Sequence, residues 1–357
     1  MRRARAAVVL AANAILWSAI CGCAQAVSPP ENITCGTALP GIHPAAGSTI
    51  ALRRGCSYAG PLTVSADNVT VTAYGTGSEP AITLHSDGAT VDVLGSHDVI
   101  ENVSMAGSPR GTWTCRGQQT PAGHVDGVDI HPGALDDTVS GVTATGFYAA
   151  VYIMAGSSGN VIKNSLFNDN TELNTNNRSG SSGAFGVLIW GDNNTVEGNT
   201  ISNNQACSLA YGRDGSAVEI YGGSRNLIRS NEASNDSAFT ELGSYSGQVS
   251  TGNIYDRNTI TGGTGGQSMT FLVTRGSRNV NGPVYGTVAE HNRVTLTGPG
   301  DAGAVSYAWQ RGDGTLLTLT GNYLNLGRNQ ALREDGGYVN GGGNTFIGAC
   351  EPSSACT

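Results

Sequence analysis

The sequence predicts an all-β fold: a single-stranded right-handed parallel β-helix, a solenoid in which short strands stack coil upon coil. Three observations lead there. One apolar element recurs along most of the chain, an asparagine often ends it, and the composition suits strands and turns rather than helices. The 357 residues include 52 glycines, only 13% are charged and 39% are apolar. That is too apolar for a disordered chain, and the abundance of Val, Ile and Thr favours strands.

The recurring element is a pair of aliphatic or β-branched residues, a short polar step, then a further apolar residue. It reads Val99-Ile100-Glu101-Asn102-Val103, then Thr138-Val139-Ser140-Gly141-Val142 and Val161-Ile162-Lys163-Asn164. It returns at Thr195-Val196-Glu197-Gly198-Asn199, Leu227-Ile228-Arg229-Ser230-Asn231 and Asn253-Ile254-Tyr255-Asp256-Arg257-Asn258, with weaker copies at Thr287-Val288 and Leu317-Thr318-Leu319. Between Ile100, Val139, Ile162, Val196, Ile228, Ile254, Val288 and Leu319 the steps are 39, 23, 34, 32, 26, 34 and 31 residues. The shortest is one coil of a parallel β-helix, and the longer ones are coils with inserted loops; the fixed periods of leucine-rich and ankyrin repeats are missing. Asparagine suits the corners, because it tolerates left-handed backbone and can hydrogen-bond its counterpart in the next coil.

The ends follow from the same logic. Residues 1–26 read as a signal peptide: Arg2, Arg3 and Arg5, an apolar stretch from Ala6 to Ile20, and the small-residue cleavage site Ala24-Gln25-Ala26. The expectation is a secreted protein with no membrane span. The alternative is a lipoprotein anchored through Cys23, since Ile20-Cys21-Gly22-Cys23 resembles a lipobox. Cleavage leaves Cys35, Cys56, Cys115, Cys207, Cys350 and Cys356, an even number that suits disulfides in an exported chain. Six cysteines allow 15 pairings. Nearness along the chain favours Cys35–Cys56 and Cys350–Cys356, leaving Cys115–Cys207 to tie two long loops. The β-helix domain is expected over residues 27–357, with a cap at about 33–65 and another at about 336–357, because open solenoid ends are unpaired edges.

This pattern resembles the pectate-lyase-like superfamily of right-handed β-helix proteins over roughly residues 50–345. The stretch Gly47-Ser48-Thr49-Ile50-Ala51-Leu52-Arg53-Arg54-Gly55-Cys56-Ser57-Tyr58 is similar to the first coil of several secreted polysaccharide lyases. Members of the superfamily include pectate and alginate lyases, polygalacturonases and uronan epimerases. The resemblance implies carbohydrate as the substrate class and no single reaction.

A second repeated element marks one face. Aligned by its inward residues it reads Val128-Asp129-Ile130-His131, Val151-Tyr152-Ile153-Met154, Val187-Leu188-Ile189-Trp190, Val218-Glu219-Ile220-Tyr221, Thr240-Glu241-Leu242-Gly243 and Phe271-Leu272-Val273-Thr274. Strand alternation then turns the second and fourth residues outward. The expected outward columns are Asp129, Tyr152, Leu188, Glu219, Glu241, Leu272 and His131, Met154, Trp190, Tyr221, Gly243, Thr274. Coils repeat every ~4.8 Å, so Glu219 and Glu241 should be neighbours. Paired carboxylates repel, which raises one pKa and can yield one acid and one base. A separation of ~5 Å suits a retaining glycosidase and ~6.5–9.5 Å an inverting one.

Each glutamate follows an aspartate by five positions, Asp214 and Asp236, so the expected catalytic set is Glu219, Glu241, Asp214, Asp236 and Asp129. The aspartates can equally cap turns. The glutamates can equally pair with Arg213, Arg225 or Arg275, or chelate calcium. Trp190, Tyr221, Tyr152, His131 and Arg213 are the expected substrate-binding residues, the aromatics as stacking platforms for sugar rings. Loops at 106–125, 170–183, 203–213 and 275–286 flank this face and should build its cleft; Arg110, Trp113 and Arg116 ride on the first, Tyr211 on the third.

The net charge of −8 argues against a nucleic-acid partner. No Cys-x-x-Cys or His-x-x-x-His spacing points to a metal site, so none is expected, calcium excepted in one alternative. The leading reading is a glycoside hydrolase acting on an extracellular polysaccharide, as a monomer. The runner-up is a uronan lyase or epimerase with bound calcium and a base among Arg213, Arg275, Lys163 and His131; the sole lysine, Lys163, weakens it. The third is a surface protein that binds glycan without turning it over.

Overall fold

The computed structural model describes residues 30–107, 124–173, 182–208, 210–244, 248–262, 268–276 and 282–357. The signal peptide, Cys23, Arg110, Trp113, Cys115 and Arg116 lie outside these residues. The described chain is a right-handed parallel β-helix with three faces. Sheet A holds 12 strands, from Glu31–Ile33 through Val99–Glu101, Thr195–Glu197 and Leu227–Arg229 to Tyr338–Asn340. Each coil runs from sheet A into a short strand of sheet C, such as Thr200–Ser202. It continues into a longer strand of sheet B, such as Ser216–Tyr221, before returning to sheet A. Sheets B and C merge at the C-terminal end through the long strand Tyr323–Glu334. No helix among the described residues is long and apolar enough to cross a membrane.

The core is a set of in-register apolar stacks. In sheet A the column Val71, Ile100, Val139, Ile162, Val196, Ile228 points inward. The next two coils depart from expectation. Ile228 pairs with Tyr255 rather than Ile254, and Tyr255 pairs with Ala289 rather than Val288. The apolar–aromatic pair Ile254-Tyr255 can be read in either register, and the structure buries the ring. Burial is tolerated because the Tyr255 hydroxyl shares a 2.8 Å hydrogen bond with Thr240 Oγ1 and the ring meets Phe239 edge-on.

The corners carry the predicted polar ladders. Asn199, Asn231, Asn258, Asn292 and Asn322 stack at the turn from sheet A to sheet C. The backbone N–H and the Nδ2 of each donate to Oδ1 of the next, at 2.9–3.0 Å. A second ladder precedes sheet A: Asp98, Asp137, Asn160, Asn194, Asn226, Asn253. A third, Asn170, Asn204, Asp236, precedes sheet B. The left-handed backbone is not at the ladder asparagines themselves. It falls on the preceding residue, filled by Asn164, Gly198, Ser230, Arg257, His291 and Gly321 in successive coils.

Both expected end disulfides are present, Cys35–Cys56 and Cys350–Cys356. At the first end the Tyr58 hydroxyl donates to the Ile33 carbonyl at 2.9 Å and accepts from the Arg53 N–H at 2.8 Å. The short helix Leu39–Gly41 places Leu39 fully inside. At the other end a last pair of strands, Tyr338–Asn340 and Thr345–Glu351, is followed by the one-turn helix Ser353–Cys356.

Candidate active site

Sheet B presents the marked face. Its strands do not alternate strictly. Ser216–Tyr221, Ala238–Gly243 and Thr270–Arg275 each bury a consecutive pair (Ala217-Val218, Phe239-Thr240, Phe271-Leu272) before alternation resumes. Glu219 and Tyr221 turn outward, and so does Glu241. Ile220 pairs with Leu242 and Tyr221 with Gly243, so the glutamates occupy adjacent coils at one register position. The expected alignment slips by one residue in the next coil. Glu241 pairs with Val273, so Leu272 and Thr274 are inside and fully buried, and Val273 and Arg275 face out. The apolar run Phe271-Leu272-Val273 hides this register; the paired buried residues at the strand start decide it.

That correction brings a cation into the site. Arg275 Nη2 lies 2.6 Å from Glu241 Oε1, whereas Glu219 Oε2 accepts a 2.6 Å hydrogen bond from Ser216 Oγ. Burial, then the charge of Glu241, raises the Glu219 pKa well above its ordinary value, with Ser216 opposing. Burial also raises Glu241, but the Arg275 guanidinium opposes it. The two carboxyls are therefore unequal: one is set to hold a proton, the other is ion-paired.

Asp214 joins them, and its twin in the sequence does not. Asp214 ends a hairpin of Ala206–Ser208 and Gly212–Asp214 that projects over the face. Burial, then the charge of Glu241, pushes its pKa up to about 7, and its Oδ2 is buried without a hydrogen-bond partner. Gly215 permits the approach: its φ is +121°, and a Cβ there would lie 2.6 Å from the Asn204 carbonyl oxygen and 2.7 Å from that of Ala184. Asp236 is instead the third-ladder partner of Asn204, accepting from its N–H and Nδ2 at 2.8 Å, and is fully buried. The five-residue spacing to a glutamate is coincidental, because residues 205–215 are inserted in one coil and only Ser237 stands there in the next.

The cleft over this face has a volume of about 600 Å³ and is lined by Glu219, Glu241, Asp214, Arg275, Arg213, Trp190, Tyr221 and Tyr211, among others. Tyr152, Trp190 and Tyr221 form an aromatic row with ring centroids 5.6 and 6.3 Å apart. Tyr152 packs beside Trp190 at its end and does not line the cleft. Gly243 leaves room for the Tyr221 ring, whose carbons a Cβ there would overlap. Leu188, expected outward, is buried with Tyr148, Ala149 and Phe185 in a small second core. Arg213 is anchored by Gln205 Oε1 at 2.6 Å and the Asp236 carbonyl at 2.8 Å, and burial lowers its pKa to about 10. Arg225 pairs with Asp192, away from the glutamates, and Lys163 lies on sheet A. Of the four loops, 203–213 supplies the hairpin, and Ser182 and Arg275 bring the 170–183 and 275–286 segments to the rim.

Asp129 and His131 belong elsewhere. On the same column, but three coils from Glu219, Asp129 pairs in register with Asp92, and His131 Nε2 lies 2.8 Å from Asp92 Oδ1. Burial, then Asp126 and Asp92, pushes the Asp129 pKa up to about 9. His131 is thus paired rather than a bare surface residue. Asp126 accepts from the Ala149 N–H at 3.0 Å and meets His124 at 3.0 Å. Asp92 is the residue missed from sequence; Arg275, expected as one of three arginines that could pair with the glutamates, is the one that does.

No protein-family model and no curated protein sequence matches this chain. Among solved structures, an alginate lyase from Paenibacillus sp. str. FPU-7 is similar at a TM-score of 0.52 and 14% identity, over 80% of this chain and 90% of that one. The Dettilon tailspike protein is similar at a TM-score of 0.51 and 14% identity, over 85% of this chain and 62% of that one. The stacked sheets, the corner ladders and these two likenesses together assign the chain the right-handed parallel β-helix fold.

Proposed function

We propose that the protein is an exported glycoside hydrolase that cleaves an extracellular polysaccharide, with Glu219 as general acid and Glu241 as base or nucleophile. The observation that carries this reading is the asymmetry of the pair. Glu219 is half-buried on the cleft wall, bonded to a hydroxyl and pushed towards the protonated form, while Glu241 is held by Arg275. Glycosidic cleavage needs that division of labour. Trp190 and Tyr221 supply apolar ring faces beside the carboxylates, and Asp214 adds a third acidic group. The fold likeness to an alginate lyase adds polysaccharide as the substrate class. The disulfides at both ends suit an oxidising compartment outside the cytoplasm.

The test is a screen of plant, algal and bacterial wall glycans by reducing-end release, followed by Glu219→Gln and Glu241→Gln on the substrate found. Each variant should remain folded and lose activity by about a hundredfold or more. Full activity in both would end the proposal. The acid must carry its proton, so activity should fall as pH rises through the Glu219 value. The base must be ionised, so it should also fall as pH drops through the Glu241 value.

A lyase is the second reading, favoured by Arg213 and Arg275 in one cleft, where a cation could neutralise a uronate carboxylate. Arg275 is already engaged by Glu241. Unsaturated products absorbing in the ultraviolet would establish the lyase.

A further inference from the structure

The cluster at Asp92, Asp129 and His131 has no role in the proposed hydrolysis, and its electrostatics are unresolved. Asp92 and Asp129 face each other in register on adjacent coils, where like charges destabilise a sheet. Asp129 is 6% exposed, and its Oδ1 is buried without a hydrogen-bond partner. Such an atom carries its full desolvation cost. Among the described residues neither carboxylate has an arginine or lysine partner. The other triad of this kind, Asp256, Glu290 and His291, differs, because Arg257 Nη1 already meets Asp256 at 2.8 Å.

One ligand atom from each of Asp92, Asp129 and His131 lies within 4.8 Å of the other two. We propose that these three side chains bind a divalent transition-metal ion, Zn²⁺ in the first instance. An imidazole with two carboxylates is a donor set for Zn²⁺ or its neighbours rather than for Ca²⁺, which takes oxygen ligands in greater number. Bound at about 2.0–2.2 Å from each donor, the ion would supply the counter-charge that the facing aspartates lack, and it would engage the orphaned Oδ1. The site is half open: the side chains of His131 and Asp92 are 30% and 24% exposed. Water can complete the coordination from that side, as in three-ligand zinc centres.

The experiment is thermal unfolding of the mature chain after chelator treatment and dialysis, with Zn²⁺, Mn²⁺ or Ca²⁺ added, alongside metal content by mass spectrometry. The wild type should retain one equivalent of Zn²⁺, and Zn²⁺ should raise its melting temperature more than Ca²⁺ does. Asp129→Asn and His131→Gln should each weaken Zn²⁺ binding at least tenfold. Asp129→Asn is isosteric and removes a carboxyl that faces Asp92 in register, so without metal it should melt no lower than the wild type, which separates lost binding from lost folding. No retained metal, an equal response to Ca²⁺, or unchanged binding in both variants would overturn the proposal.

Discussion

Single carboxyls at the corners tune this solenoid to pH. Asp98, Asp137 and Asp236 stand at ladder positions that asparagine fills in other coils. Burial raises their pKa values from 3.8 to about 6, 7 and 7. A carboxyl that binds its proton more tightly folded than unfolded favours folding below the unfolded value and loses that contribution as pH rises through the folded one. These three therefore stabilise most below about pH 4 and least above about pH 7. Asp137 accepts from the Asp98 N–H through Oδ1, while its Oδ2 is buried without a partner. Asparagine would keep the first contact and offer Nδ2 to Asn160 Oδ1, as Asn160 does to Asn194. Asp137→Asn should therefore add about 1–2 kcal/mol at pH 8, a few degrees in melting temperature, and almost nothing at pH 4. Thermal unfolding across that range checks it; an equal gain at both pH values would rule out the titration argument.

Among the elements, the hairpin over the cleft depends most on one position. Gly215 has a backbone that L side chains rarely adopt, with two carbonyl oxygens where a Cβ would go. Gly215→Ala should lift the hairpin and carry Asp214 away from Glu241. We expect a modest loss of stability, about 1–3 kcal/mol, and a much larger proportional loss of activity. Kinetics and denaturant melts on the same samples separate the two, and activity that falls only in step with the folded fraction would refute it. The hairpin also shows where sequence reading stops. The coil element, the ladders and the Glu219–Glu241 pairing are periodic, and periodicity is visible in one dimension. The displacement of Asp214 from Asp236, the inward turn of Leu272 and Tyr255, and the meeting of Asp92 with His131 depend on insert lengths and on paired buried residues that have no fixed period.

For the whole molecule, stability is a sum over neighbouring coils, so the ends should open before the middle. Among the described residues the first strand, Glu31–Ile33, pairs only with Thr49–Arg53, and it is further held by Tyr58, Tyr74 and the Cys35–Cys56 link. Closing a loop with a sequence separation of 21 contributes about 3 kcal/mol in the chain-entropy account. Replacing both cysteines by serine should raise amide exchange in residues 31–60 first, leaving the coils around Asn231 protected. Exchange that rises uniformly along the chain would show that the coils unfold as one unit.

The corner between the third ladder and sheet B tolerates inserts of very different length. Asn204 and Asp236 keep their bond whether eleven residues or one follows them before the strand begins. The frame is thus blind to the length of what is plugged in there. Segments of different length can therefore be accommodated at this corner without disturbing the ladder bond or the strand that follows.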